Sequence, residues 1–250
     1  MSLDVIDAER ALHQRAGLSC QAAIEAGLPG RFRTWERAGL MAVLATDPAL
    51  GFLASVSGVV SGNEIAALDL VDSPDWNGVR PTMLVSARID ETILISAGLV
   101  RLEDRLLAVR RIDRGPELST GPDVVDAGEV DPFLGVLLAG YQVDGVVADF
   151  IGAEHRLPIM RRFLLMDRDG PIAAAAMTIH GDIAVLGGAS TLPAHRGKGA
   201  QPRLLQHRLR VAGEAGCSLA VATARPESVS AANLGRAGFS LHRRSAWTRA

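Results

Sequence analysis

Six residues, Arg196-Gly197-Lys198-Gly199-Ala200-Gln201, stand between an apolar run and an amphipathic one, and their types suit the grip of a phosphate. The apolar run Ile183-Ala184-Val185-Leu186, continuing to Leu192, predicts a strand, and Leu204 to Ala212 predicts a helix. Gly197 and Gly199 open backbone conformations closed to other residues, so several N–H groups can converge on one anion at the helix N-terminus. Pro202 falls in the first helical turn, where its missing donor costs little. Two other phosphate loops do not fit. A dinucleotide fingerprint needs an acidic residue about 20 positions on, and this chain has Leu219 and Ala220 there. A phosphate-loop NTPase needs Ser or Thr after Gly-Lys, where Gly199 stands. No carboxylate lies near the loop to hold magnesium, so no metal is expected.

The elements needed to position this loop follow in order. Arg161 to Asp167 and Ile172 to Ile179 predict a hairpin around Asp167-Arg168-Asp169-Gly170, and Gly181-Asp182 turns the chain into the strand at Ile183. Gly187-Gly188 predicts a bulge that splays this strand from the next one, Leu219-Ala220-Val221-Ala222-Thr223. Ser228, as N-cap, opens a short helix that ends in Ala237-Gly238-Phe239. Upstream, Asp131 to Leu138 predicts a helix with Asp131 as N-cap and Pro132 at its first position.

Hairpin, strand, Arg-Gly-x-Gly loop, helix, strand and a helix ending in Gly-Phe resemble the GNAT superfamily of N-acetyltransferases over residues 127–250. The family motif Gln/Arg-x-x-Gly-x-Gly/Ala is matched at Arg196 and Gly199 and departs at Gln201, which sets a side chain near the pyrophosphate. Pro193 fits the family's Val-x-Pro-x-x-Arg-Gly run, with Thr191 at the Val position. The resemblance implies acetyl-CoA as co-substrate. Its pyrophosphate would meet Arg196, Gly197, Lys198, Gly199, Ala200 and Gln201, and its pantetheine the strand edge Ser190-Thr191-Leu192, with Asn233 either reaching the pantetheine or capping a neighbouring helix. Backbone N–H groups near Leu192 would take the oxyanion.

Proton transfer is where the chain departs furthest. Many members carry a Tyr four residues before the Gly of the final Gly-Phe, as the acid for the leaving thiolate, and Leu234 stands there. The chain's one tyrosine, Tyr141, is distant in sequence, so turnover is expected to follow the acceptor's own deprotonation. Asp182 and His180 flank the strand at Ile183 and are the candidates for a base acting through water; His155 and Glu154 are candidates for lining an acceptor pocket. The expected function is acetyl transfer to a primary amine on a small molecule or peptide. The alternative is a GNAT-like module that binds CoA without turnover.

Composition sets the outer limits. A chain of 250 residues suits one large domain or two smaller ones. The net charge of −2 recruits neither nucleic acid nor a membrane surface. Two cysteines, Cys20 and Cys217, and an acidic rather than basic start suggest a cytoplasmic protein without a disulfide framework. The expected fold is α/β, an α+β mixed sheet, with a boundary in the turn-rich stretch Gly115 to Pro122: residues 1–120 form a smaller α/β domain and 121–250 the cofactor-binding one. In the first half a helix over 8–28 ends at Leu28-Pro29-Gly30. Strands are expected at Gly51 to Val60, Thr82 to Ala87 and Leu106 to Val109, and helices at Ala66 to Val71 and Glu91 to Ala97. Ala97-Gly98-Leu99 echoes Ala237-Gly238-Phe239, which suits a first half that is a degenerate copy without a phosphate loop as well as a chance match. Oligomerisation is compatible with all of this.

Overall fold

Small apolar residues at helical spacing open the chain. In the computed structural model, which describes residues 3–86, 89–112 and 123–250, they form α1 (Leu3–Glu25), whose Val5, Ala8, Ala11 and Ala22 are buried. The helix stops where Gly27 takes φ +68° and the N–H of Leu28 reaches back to Ala23 O, a left-handed cap that the following Pro29 keeps from continuing. In chain order the remaining elements are β1 (Phe32–Arg37), β2 (Leu40–Ala45), β3 (Ser55–Val59), α2 (Glu64–Val71), β4 (Thr82–Val85), α3 (Glu91–Ser96), β5 (Leu99–Arg111), β6 (Val124–Asp126), α4 (Val130–Tyr141), α5 (Gly145–Arg156), β7 (Arg161–Asp167), β8 (Gly170–His180), β9 (Ile183–Thr191), α6 (Ala200–Glu214), β10 (Leu219–Ala224), α7 (Val229–Arg236) and β11 (Ser240–Arg249).

Two compact units share the chain. The first comprises Met1–Leu107, Thr223–Ala231 and Leu241–Ala250, the second Ala108–Ala222 and Ala232–Ser240. They are not consecutive halves, and the turn-rich boundary at Gly115 to Pro122 lies outside the described residues. Each unit holds a mixed sheet. In the first, β1 to β3 run antiparallel, β3 pairs in parallel with β4, and β11 pairs antiparallel with β4. Its core is built on Leu40, Val56, Leu70, Trp76, Met83 and Trp247. A fully buried ion pair, Glu9 with Arg244 at 3.2 Å, ties α1 to β11, and Ser86 donates to the same carboxylate at 2.6 Å. In the second unit β6 to β9 run antiparallel and β9 pairs in parallel with β10, whose other neighbour is β5.

Element order therefore repeats along the chain: three antiparallel strands, a helix, a parallel strand, a helix, a strand. The echo noted in sequence falls at corresponding places, since Gly98 after α3 and Gly238 after α7 both have φ +80°. Among the described residues no helix is long and apolar enough to cross a membrane.

Two local expectations need correction. Gly51 to Val60 is not one strand, because Asp47 caps a 3₁₀ turn over Pro48–Leu53 and β3 begins only at Ser55. Glu129, not Asp131, is the N-cap residue of α4, and Asp131 sits in its first turn, where a carboxylate still suits the helix dipole. The β1–β2 hairpin, whose polar β1 lacks a clean alternation, and α5 are further elements beyond those expected.

Candidate functional site

In the second unit β9 carries a bulge. Its register with β8 sets Ser190 opposite Ala174 and Gly187 opposite Ala176, so Gly188 and Ala189 together face Ala175 alone. Gly188 has φ +60°, and a Cβ there would collide with Nε2 of His155. Only glycine meets both demands. Past the bulge β9 loses its partner on the other side, because its pairing with β10 covers only Ile183–Val185 with Leu219–Val221. The expected splay is therefore present, with main-chain groups of β9 beyond Val185 outside that ladder.

Two helices bring side chains to the bulge. His155, in the last turn of α5 and 1% exposed, has Nδ1 2.8 Å from Ile151 O. A carbonyl only accepts, so Nδ1 carries the proton and Nε2 faces Gly188. A carboxylate oxygen of Glu154 lies 3.5 Å from the same Nδ1. Tyr141 ends α4, and its phenol oxygen accepts the N–H of Ala189 at 2.8 Å. The end of α4 is fixed to β9 by close approach. A Cβ on Gly140 would overlap Ser190, whose hydroxyl bonds Leu137 O at 3.0 Å, and Arg196 Nη2 donates to Gly140 O at 2.8 Å.

The loop after β9 has the backbone that a nest requires. Gly197 and Gly199 have φ +76° and +79°, and Gly199 is the N-cap of α6. No hydrogen bond among the described residues takes up the N–H of Gly197, Lys198, Gly199, Ala200 or Gln201. Alternating left-handed glycines and a helix N-terminus aim such groups at an anion. Lys198 is exposed beside them. Two expected phosphate contacts are turned inward instead. The Arg196 guanidinium holds Gly140 O and Thr191 O, and Gln201 Nε2 donates to Ser190 O at 2.9 Å and to Thr191 Oγ1 at 3.0 Å. The departure from the family motif thus fastens the loop to the strand.

The remaining candidates divide by position. Leu192 donates its N–H to Ile172 O at 3.0 Å, so β8 already holds the group expected to face an oxyanion. Asn233 Oδ1 accepts from Arg236 on α7, and Ser228 Oγ accepts the N–H of Ala231 at 3.1 Å, the N-cap geometry expected of it. His180 and Asp182 lie at the opposite end of β9 from the bulge. His180 Nε2 is 2.9 Å from Thr178 Oγ1, and Asp182 accepts from both the N–H and the hydroxyl of Ser218. Leu234, at the family's tyrosine position, is buried. Tyr141, distant from the loop in sequence, is brought to the bulge by the end of α4. Among the described residues no group of three His, Cys, Asp or Glu side chains could hold a metal ion.

No protein-family model matches the chain, and no curated protein matches it in sequence. Solved structures match its fold. A GCN5-related N-acetyltransferase from Kribbella flavida superposes with a TM-score of 0.63 at 14% identity, covering 94% of either chain. The chain has the GNAT acetyltransferase fold. A GNAT-family acetyltransferase from Colwellia psychrerythraea gives 0.58 at 14% identity, over 94% of this chain and 93% of its own. A GCN5-related N-acetyltransferase from Sphaerobacter thermophilus gives 0.57 at 11%, over 94% and 92%.

Within that GNAT fold the first unit repeats the frame without the nest. Gly58, with φ +80°, sits where β3 shifts register, and a glycine turn leads into α2. There the N–H of Gly62 donates to the carboxylate of Glu64 at 2.7 Å, and Asn63 binds Val60 N and Gly58 O. A side-chain carboxylate occupies the turn where the second unit presents bare N–H groups, and it would repel a phosphate.

Proposed function

We propose that the chain is an N-acyltransferase that moves an acyl group, acetyl by its resemblance, from CoA to a primary amine of a small molecule or peptide. One observation carries this: the partnerless N–H groups of Gly197 to Gln201 follow directly on the bulged end of β9, which has left the β10 ladder after Val185. A nest for a pyrophosphate thus adjoins β9 main chain outside the β10 ladder, which can pair with the amides of pantetheine where Tyr141, Arg196 and Gln201 do not already hold it. The net charge of −2 favours no nucleic acid or membrane partner. Two buried thiols without a disulfide suit a cytoplasmic enzyme.

In the transfer, the lone pair of a neutral amine forms a bond to the thioester carbon and the C–S bond breaks. The thiolate then gains a proton as the amine nitrogen loses one. Tyr141 stands in for the tyrosine that Leu234 replaces. With Ala189 N–H donating to its oxygen, the phenol is held at the bulge and its own O–H is the donor for the thiolate, restored by the proton shed from nitrogen. Tyr141→Phe should lower kcat by about 10²–10⁴-fold while the acetyl-CoA Kd stays unchanged. A variant that keeps kcat within about threefold would remove Tyr141 from the reaction.

The buried Leu234 favours a second reading, a module that binds CoA without turnover. Acetyl-CoA would then raise the melting temperature, and no amine in a panel would release CoA thiol.

A further inference from the structure

The second unit has a cavity of about 680 Å³ between β6, β7 and the C-terminal half of α6. Strand alternation places Arg161 and Phe163 of β7 on one face, with Asp126 of β6 directly opposite Phe163. This is the α6 face, because Phe163 meets the His207 ring edge-on at 4.9 Å; Leu164 points the other way, into the core with Phe133 and Leu137 of α4. The cavity is therefore separate from the bulge. It is also separate from the nest, since His207 lies seven residues beyond Ala200, roughly 10 Å along the helix at 1.5 Å per residue.

Its floor contains His207, 5% exposed, with no hydrogen-bond partner for either ring nitrogen among the described residues. Buried polar groups are rarely left so. Burial, then the neighbouring Arg210, lowers the pKa of His207, so at neutral pH the ring offers one donor and one acceptor. The charges around it are not all engaged. Arg210 pairs with Glu214, and Arg162 turns its guanidinium to His155 O and Leu157 O. Arg161 and Asp126 form no side-chain hydrogen bond or ion pair among the described residues, although the charge of Asp126 acts on His207. They are diagonal neighbours across the β6–β7 ladder, with Cα atoms about 7–8 Å apart. A lone cation and a lone anion at that spacing match a ligand carrying both opposite charges.

We propose that this cavity is a second ligand site and that it takes a free α-amino acid with a hydrogen-bonding side chain. The carboxylate would pair with Arg161, the ammonium with Asp126, and the side chain with the ring nitrogens of His207. A dicarboxylate would meet Asp126 with like charge, and a diamine would meet Arg161. The site stands apart from the acyl-transfer reading, which can fail without affecting it.

Calorimetry on the full chain tests this with L-serine, L-threonine, L-asparagine and L-glutamine, against succinate, putrescine and N-acetyl-serinamide. At least one free amino acid should bind once per chain, and the three controls should not. Arg161→Ala and Asp126→Asn, both surface changes, should each weaken binding by at least about tenfold and leave acetyl-CoA affinity unchanged. His207→Phe, which keeps a ring against Phe163, should do the same. If that variant fails to fold, the two surface variants decide. Absence of binding by all four amino acids at millimolar concentration overturns the proposal. So does binding that the Arg161 and Asp126 changes leave intact, which would place the amino acid elsewhere, or equal binding of succinate or putrescine.

Discussion

Single residues show how the site separates geometry from charge. Gly199 stands in the middle of the nest, and its φ of +79° is closed to β-branched residues. Gly199→Val should raise the acetyl-CoA Kd by at least about tenfold. Gly199→Asn, which tolerates the left-handed region, should retain most of the affinity in the same titration. An unchanged Kd in a folded Gly199→Val protein would displace the site from this loop. His207 gives a pH signature. Burial lowers its pKa in the fold, so the unfolded chain binds the proton more readily. Stability is then fully present above the unfolded value of about 6.5 and falls as pH drops below it. The charges of Arg210 and Arg208 act in the same direction, while those of Asp126 and Glu214 oppose them. Urea melts at pH 7.5 and 5.5, as test conditions of about those values, should show a loss in the wild type that shrinks in His207→Phe.

At the scale of elements, the crossing of α4 and β9 connects stability to chemistry. Gly140 allows contact with Ser190, and Ser190 and Arg196 then bond the last carbonyls of the helix. Those contacts set where Tyr141 emerges. Gly140→Ala would push the helix off the strand, costing about 1–3 kcal/mol as overpacking does. It should also lower kcat, because the phenol would leave Ala189. Equilibrium unfolding and turnover measured on one preparation check both. A stable variant with normal kcat would mean that the crossing does not position Tyr141. Sequence periodicity did locate these elements. It could not show that Gly140 and Gly188 are contact points, since each is defined by a side chain distant in sequence, Ser190 for one and His155 for the other.

At the scale of the whole molecule, the chain's last strand belongs to the first unit. Ala246 and Trp247 are buried, and Trp247 joins the cluster of Met83, Val85 and Leu99. A cut between residues 120 and 121 would strip β11 of β4 and deprive the second unit of Ala108–Arg111. Isolated residues 121–250 should therefore aggregate or self-associate in size-exclusion chromatography where the full chain does not. A monodisperse, acetyl-CoA-binding fragment would show that the second unit folds without its exchanged strand.

The sequence by itself determined the local features. Gly197 and Gly199 before an amphipathic run specify a nest because glycine conformation is a local property, and the hairpin at Asp167 to Gly170 and the glycine pair at the bulge follow from alternation and turn chemistry. The tertiary structure alone decided which side chains reach that bulge. Tyr141 and His155 arrive on separate helices, and Arg196 and Gln201, which the motif assigns to phosphate, are held by carbonyls of α4 and β9. It alone decided the exchange of β11 as well. Strand partners are chosen by burial of surfaces such as Trp247 against Met83, Val85 and Leu99, far outside any local pattern, and a contact across that separation leaves no periodic trace in the chain.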